Sequence, residues 1–141
     1  MLSNTHFSMA VHVLSALAYT ENKVIGSEDL ARTVGTNPSF LRGLIGQLKE
    51  AGLVETTLGK GGGTRLARAA SRITLRDVYR ATESQPALKT HVCDGRSRCP
   101  VARGMSQMLA SVNERVEKVV ESELKGMTVA DLVASFVGPK P

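Results

Sequence analysis

Apolar residues three and four positions apart mark six stretches of this chain, the period of a helix that buries one face. The first runs from Ser3 to Tyr19. Ser3, Asn4 and Thr5 offer N-cap oxygens, Phe7, Val11, Leu14 and Ala18 form a stripe, and Met9, Val13 and Leu17 widen it, so burial is extensive. Ser27 is placed to cap the second helix, with Glu28 and Asp29 where the helix dipole favours carboxylates. Leu30, Ala31 and Val34 face inward there, and Gly35 supplies a left-handed stop. Asn37 caps the third helix and Pro38 takes its first position, where a missing N–H costs nothing. Leu41, Leu44, Ile45 and Leu48 turn inward, and Gly52 ends the run.

The period then changes. Glu55 to Leu58 reads as an outgoing strand, Gly59 to Gly63 as a turn with four glycines in five positions, and Thr64 to Ala67 as the return. Such glycines allow positive φ and close approach to a backbone. Thr74 caps a fourth helix, Leu75 to about Thr82, with Val78 and Tyr79 inward; Glu83 to Asp94 is loop-like around Pro86. A long helix spans Pro100 to Lys125, striped from Val101 through Met108, Val112 and Val119 to Leu124. Its 26 residues make a rod of about 39 Å. One small domain covers such a rod poorly, so the stripe is expected to face a second copy; the alternative is a helix packed on its own domain. Thr128 caps a last helix, Val129 to Phe136, expected to pack back on the dimer.

Helix, turn, helix and a glycine-tipped hairpin, in that order, predict a mainly α fold with a small β-wing. The expected organisation is a winged helix-turn-helix over 1–82, a loop over 83–99, and a dimerisation helix plus C-terminal helix over 100–141. A length of 141 residues suits one domain with an appended element. The chain is 42% hydrophobic but only 4% aromatic, which makes the expected core aliphatic. No basic segment precedes Met9–Ala18, which His12 and Ser15 interrupt, and no stretch reaches the ~18–20 apolar residues that span a bilayer. A cytoplasmic protein without membrane contact is expected, and two cysteines in a reducing compartment are no permanent disulfide.

The net charge of +5 is unevenly spread. Ten Lys/Arg face five Asp/Glu between Lys23 and Arg80, against five and five from Pro100 to Pro141. The surplus therefore lies on the winged unit, where phosphates would have to be neutralised. On this reading the third helix enters the major groove of double-stranded DNA with Ser39, Phe40 and Arg42 nearest the bases. Lys60 and Arg65, with Arg68 beyond them, meet the backbone or minor groove. Phe40 has two readings: contact with a thymine methyl or sugar, or packing beneath the wing. His6 and His12 read as surface or DNA-backbone positions before ligands. Gly-Lys-Gly-Gly-Gly without a following helix is not a phosphate loop. With no nucleophile–base pair, metal-ligand cluster or cofactor loop, no enzyme is expected.

Several runs resemble the Rrf-type family of bacterial winged-helix regulators, the group of IscR, NsrR and CymR. They are the turn into Ser39-Phe40-Leu41, the stretch Leu48-Lys49-Glu50-Ala51-Gly52-Leu53-Val54, Gly61-Gly62-Gly63 with Arg65-Leu66-Ala67-Arg68, and Ile73-Thr74-Leu75-Arg76-Asp77-Val78. The resemblance extends over nearly the whole chain. It implies a homodimeric transcriptional regulator on a palindromic operator, read here as a repressor. Leu58 stands where many members place a wing arginine, and Thr64 replaces a common tyrosine.

The resemblance also frames the stretch His91-Val92-Cys93-Asp94-Gly95-Arg96-Ser97-Arg98-Cys99-Pro100. Cluster-binding members carry three cysteines here; Cys93 and Cys99 match the first two, and Met105 stands at the third. A thioether is a poor substitute for a thiolate on iron, so His91, His6 or a partner residue would have to complete a cluster. The residues themselves also read as redox thiols. Cys99 precedes Pro100 at an N-cap, where helix N–H groups, with Arg96, Arg98 and Arg103, should lower its pKa below ~8.5. Cys93, six positions earlier across a loop with Gly95, is the candidate resolving thiol. A third reading leaves both as ordinary reduced cysteines. The reading adopted has no metal or cofactor and a thiol switch at Cys93 and Cys99. Its alternatives are an iron–sulfur-sensing regulator and a protein-interaction module of the same fold that does not bind DNA.

Overall fold

The computed structural model describes residues 5–138. In chain order it contains α1 (His6–Tyr19), α2 (Ser27–Val34), α3 (Pro38–Glu50), β1 (Val54–Thr57), β2 (Gly63–Leu66), a 3-10 turn (Ala70–Arg72), α4 (Leu75–Thr82), α5 (Pro100–Lys125) and α6 (Val129–Val137). The fold is mainly helical with a two-stranded antiparallel sheet, in the order the hydrophobic pattern predicts.

Local chemistry sets most boundaries. Asn37 Oδ1 accepts the Phe40 N–H at 2.7 Å, and Gly35 closes α2 at φ +83°. Thr74 and Thr128 each form a capping box, with Asp77 and Asp131 respectively. Two expected caps are corrected. Gly26, not Ser27, is the N-cap of α2, and Ser27 is already helical. The cause is tertiary: Ile25 exchanges backbone hydrogen bonds with Thr64 at 2.9 and 2.8 Å, so the extended segment ends there and the helix starts one residue early. Thr5 precedes α1 without a side-chain cap bond, while Ser8 Oγ donates back to the Thr5 carbonyl at 3.0 Å. Ser3 and Asn4 lie outside the described residues.

The core gathers on α1, which touches α2, α3, α4, α6 and β2. Ala10, Val13, Leu14 and Leu17 are its buried face, with Phe7, Val11 and Ala18 half-buried beside them. Enclosure from several sides rotates that face away from the predicted stripe. Leu30, Leu41, Leu48, Leu53, Ile73 and Val78 complete an aliphatic interior. α6, grouped by sequence with α5, packs on α1 and the 3-10 turn, where Val129 is wholly buried. A short backbone ladder holds its start: Leu75 N–H donates to Met127 O at 2.8 Å, and Val129 N–H to Ile73 O at 2.9 Å. α5 packs on α4, yet none of its residues is fully buried within one chain.

The wing pairs Val54 with Leu66, Glu55 with Arg65, Thr56 with Thr64 and Thr57 with Gly63. Its glycines serve two purposes. Gly59 and Gly61 adopt positive φ, of 92° and 77°. At Gly62 a β-carbon would overlap the Thr57 carbonyl oxygen, and at Gly63 that of Ile25. One feature was not legible in the pattern. Asn22, at φ +61°, accepts the Leu66 N–H on Oδ1 at 2.6 Å, and its Nδ2 donates to Leu66 O at 3.3 Å. A side-chain amide thus takes the place of a strand residue and ties the end of α1 to the wing.

Candidate nucleic-acid interface and cysteine loop

Leu41, Leu44, Ile45 and Leu48 of α3 are buried, which forces the other face outward. That face presents Ser39, Arg42, Gly43, Gly46 and Gln47, all exposed. Glycine inside a helix costs about 1 kcal/mol relative to alanine. Apart from the helix's own adjoining backbone and chain neighbours, no described atom lies within 4 Å of where a β-carbon would sit at Gly43 or Gly46, so packing within the chain does not require either. Smoothness there suits close approach by an outside surface. Of the two readings of Phe40, packing beneath the wing is corrected. Phe40 is half-buried against the core, its ring 5.1 Å from His6 and tilted by 58°, under the start of α1 and not under the wing.

Lys60 lies exposed at the wing tip, and Arg68 is exposed just beyond β2. Arg65 is exposed too, but its Nε is paired with Glu55 Oε1, directly opposite across the hairpin. An exposed pair of this kind is worth little and can exchange partners. The departures at Leu58 and Thr64 differ in consequence. Leu58 is 94% exposed and changes the surface of the wing, whereas Thr64 is buried and changes the packing beneath it.

The loop between α4 and α5 is stapled at its start. Glu117 on α5 accepts the Tyr79 O–H at 2.8 Å on one oxygen and the Ala87 N–H at 2.6 Å on the other. Asn113 Oδ1 accepts the Leu88 N–H at 2.9 Å, and Arg80 binds Glu121 through two hydrogen bonds of 3.0 and 2.7 Å. Burial and the Glu117 carboxylate together push the Tyr79 phenol well above its ordinary range. Glu121, in turn, is held below the usual carboxylate range by its bonds to Arg80.

Further along, Ser97 N–H donates to Asp94 O at 3.2 Å and Arg96 N–H to Asp94 Oδ1 at 2.9 Å, folding a turn between the two cysteines. Cys93 is half-buried, with Sγ 3.2 Å from His91 Nε2; Cys99 is exposed at the N-cap of α5, and both are free thiols. The N–H groups of Ala102 and Val101 hold the Cys99 thiol below its ordinary value, although no side-chain cap bond forms. The expected contribution from Arg96, Arg98 and Arg103 is not among the causes of that lowering.

Iron is the cofactor the resemblance raises, and the donors fit it poorly. Among the described residues no group of three His, Cys, Asp or Glu side chains lies close enough to hold a metal ion within one chain. Met105 offers only a thioether, and the His91 imidazole is already against Cys93. Among the described residues, no helix is long and apolar enough to cross a membrane.

Known proteins agree with this geometry. The Rrf2 family model, described as an iron-dependent transcriptional regulator, matches residues 3–135. The candidate HTH-type regulator YwnA of Bacillus subtilis is 30% identical over 130 residues, 92% of this chain and 96% of YwnA. A crystal structure of a candidate transcriptional regulator from Lactobacillus plantarum superposes with a TM-score of 0.82 at 25% identity, over 95% of this chain and 91% of the other. IscR of T. potens superposes at 0.66 with 28% identity, over 94% and 85% of the two chains. With the winged fold and a family match over nearly its full length, the chain belongs to the Rrf2 family of transcriptional regulators.

Proposed function

We propose that this regulator is a homodimeric repressor that reads a palindromic operator in the cytoplasm, acts by binding and not by catalysis, and is switched by oxidation of its two thiols. The observation that carries DNA reading is the outward face of α3, where Ser39 and Arg42 flank exposed glycines that packing does not require. That face enters the major groove, with Phe40 bracing it from beneath and offering its exposed edge to a sugar or thymine methyl. Lys60 and Arg68 meet phosphates directly, and Arg65 joins them by exchanging Glu55 for a phosphate oxygen.

Dimerisation is supported by α5. Val101, Met108 and Val119 are 64%, 64% and 69% exposed, and with Val112 they recur at spacings of seven and four, the signature of a helix–helix seam. Covering that stripe requires a second helix. Two-fold symmetry then sets half-sites near one helical turn apart, or a multiple of it.

For the switch, the Cys99 thiolate attacks a peroxide; the O–O bond breaks, hydroxide leaves and a sulfenic acid forms. Cys93, giving its proton to His91, attacks that sulfur, the S–S bond forms, and the hydroxyl departs as water by taking that proton from His91. Support comes from the lowered Cys99 thiol, the Cys93–His91 contact and the turn at Asp94–Ser97. An iron–sulfur cluster is the lesser reading, for want of a third donor. The test is operator binding by wild type and Cys99→Ser, reduced and peroxide-treated. Oxidation should change wild-type affinity and leave Cys99→Ser unmoved; equal oxidised and reduced affinities for wild type would sink the switch while leaving DNA reading intact.

A further inference from the structure

The segment between α1 and α2 runs along the outer edge of β2 and holds it at two points. Ile25 exchanges backbone hydrogen bonds with Thr64, at 2.9 and 2.8 Å, and the Asn22 amide takes both backbone groups of Leu66, at 2.6 and 3.3 Å. Thr64 and Leu66 stand two apart on β2, so their N–H and C=O groups point to the same edge, opposite β1. Only the hold at Asn22 is made by a side chain. Its amide carries a donor and an acceptor on one plane, as a peptide unit does. Aiming that amide takes an unusual turn: Glu21 and Asn22 sit at φ 58° and 61°, left-handed values that few residues other than glycine adopt and that asparagine tolerates well. Asn22 is itself anchored, since its N–H donates to Leu17 O at 3.0 Å on the last turn of α1.

The clasped residue lies among the cations of the wing. Leu66 follows Arg65 and precedes Arg68 by two, and Asn22, Arg65 and Arg68 line one groove of about 520 Å³ at the root of the hairpin. A two-stranded hairpin is marginal by itself, so the angle of this one is set by what grips its edges. α1 touches both α3 and β2, and a clasp anchored on α1 therefore relates the two DNA-facing elements to each other.

We propose that Asn22 is a positioning residue for DNA reading. Its amide fixes β2 relative to α3, so that Lys60 and Arg68 reach phosphates while α3 occupies the major groove. This role rests on the reading that the wing meets the DNA backbone, and it names what holds the wing there.

The test uses the full chain and the duplex that wild type selects from a random pool, with binding followed by fluorescence anisotropy at several salt concentrations. Asn22→Gly keeps the left-handed backbone free of strain and removes the amide. It should weaken binding about tenfold or more and lower the salt slope by about two, one for each phosphate that Lys60 and Arg68 lose. Single base changes under α3 should cost the same in both proteins, because base contacts and wing contacts are separate. Arg68→Ala should weaken wild type severalfold and Asn22→Gly hardly at all. Asn22→Asp keeps an acceptor for the Leu66 N–H but sets a carboxylate beside the Leu66 carbonyl; it should fall between the two, and it carries the same criteria if Asn22→Gly does not fold. A folded Asn22→Gly with wild-type affinity and salt slope overturns the proposal, as does an Arg68→Ala cost that is equal in both backgrounds. If Lys60→Ala and Arg68→Ala leave wild-type binding unmoved, the wing reading itself fails, and the role of Asn22 fails with it.

Discussion

Glu117 is the carboxylate on which the junction between α4, α5 and the cysteine loop depends, and Glu117→Ala isolates its contribution. It accepts two hydrogen bonds, from Tyr79 O–H at 2.8 Å and Ala87 N–H at 2.6 Å, and Tyr79 is only 6% exposed. Hydrogen bonds to a charged group are worth about 1.5–3 kcal/mol each, so the pair has a ceiling of about 3–6 kcal/mol. Glu117 is partly exposed, and water reaches part of what the substitution uncovers, so the expected loss is about 2–4 kcal/mol. Glu114→Ala is the control, because Glu114 pairs only with exposed Lys118 at 3.1 Å and should cost no more than about 0.5 kcal/mol. Tyr79→Phe should cost about 1–2 kcal/mol in wild type and close to nothing in the Glu117→Ala background. Urea denaturation followed by far-ultraviolet circular dichroism, at one fixed protein concentration, measures the stabilities of wild type, the three single variants and the double variant. A loss in Glu117→Ala no larger than in Glu114→Ala would refute the reasoning, as would an equal cost of Tyr79→Phe in both backgrounds. The pH arm is independent. The Tyr79 phenol is raised in the folded state, so its contribution is complete below the unfolded value of about 10 and is lost as pH climbs beyond it. Wild type should therefore lose stability more steeply than Tyr79→Phe above about pH 10.

Three further outcomes follow from the same geometry. Gly63→Ala should destabilise by about 2 kcal/mol or more, read by thermal melting, because the new carbon overlaps the Ile25 carbonyl; Gly46→Ala, in open space, should stabilise by up to about 1 kcal/mol yet weaken operator binding. In operator titrations at several salt concentrations, Lys60→Ala should lower the salt slope by about one; Arg65→Ala should lower it less, since Glu55 already occupies that guanidinium. Iodoacetamide labelling followed by mass spectrometry should give Cys99 a reactivity midpoint below the ordinary thiol value of about 8.5, with labelling retained at pH values where an unperturbed thiol has ceased to react.

The sequence disclosed what is local. The span Pro100–Lys125, the Asn37, Thr74 and Thr128 caps and the inward leucines of α3 all follow from side-chain periodicity and N-terminal oxygens within a few residues of each other. What it hid depends on distant partners. The start of α2 shifted because Ile25 pairs with Thr64, and Asn22 took a strand's place on Leu66, 44 residues away. At the candidate interface, residue type marked Ser39, Arg42 and Lys60 as exposed polar positions. It could not tell that Arg65 is held by Glu55 or that Phe40 rests on His6, since both depend on how separate elements meet. Gly43 and Gly46 carry a readable signal, two costly residues on one exposed helical face.

Side-chain bonds from Asn113, Glu117 and Glu121 fix α5 to α4 and to the start of the loop that follows it. Cys99 therefore sits at the far end of an arm some fourteen residues, or about 20 Å, from the first of those bolts. Mechanically α5 is a lever with an off-centre fulcrum. A tilt of about five degrees at the fulcrum moves the cysteine tip by nearly 2 Å over such an arm. Read in the other direction, a modest pull at the tip is delivered to α4 as torque, multiplied by the length of the arm.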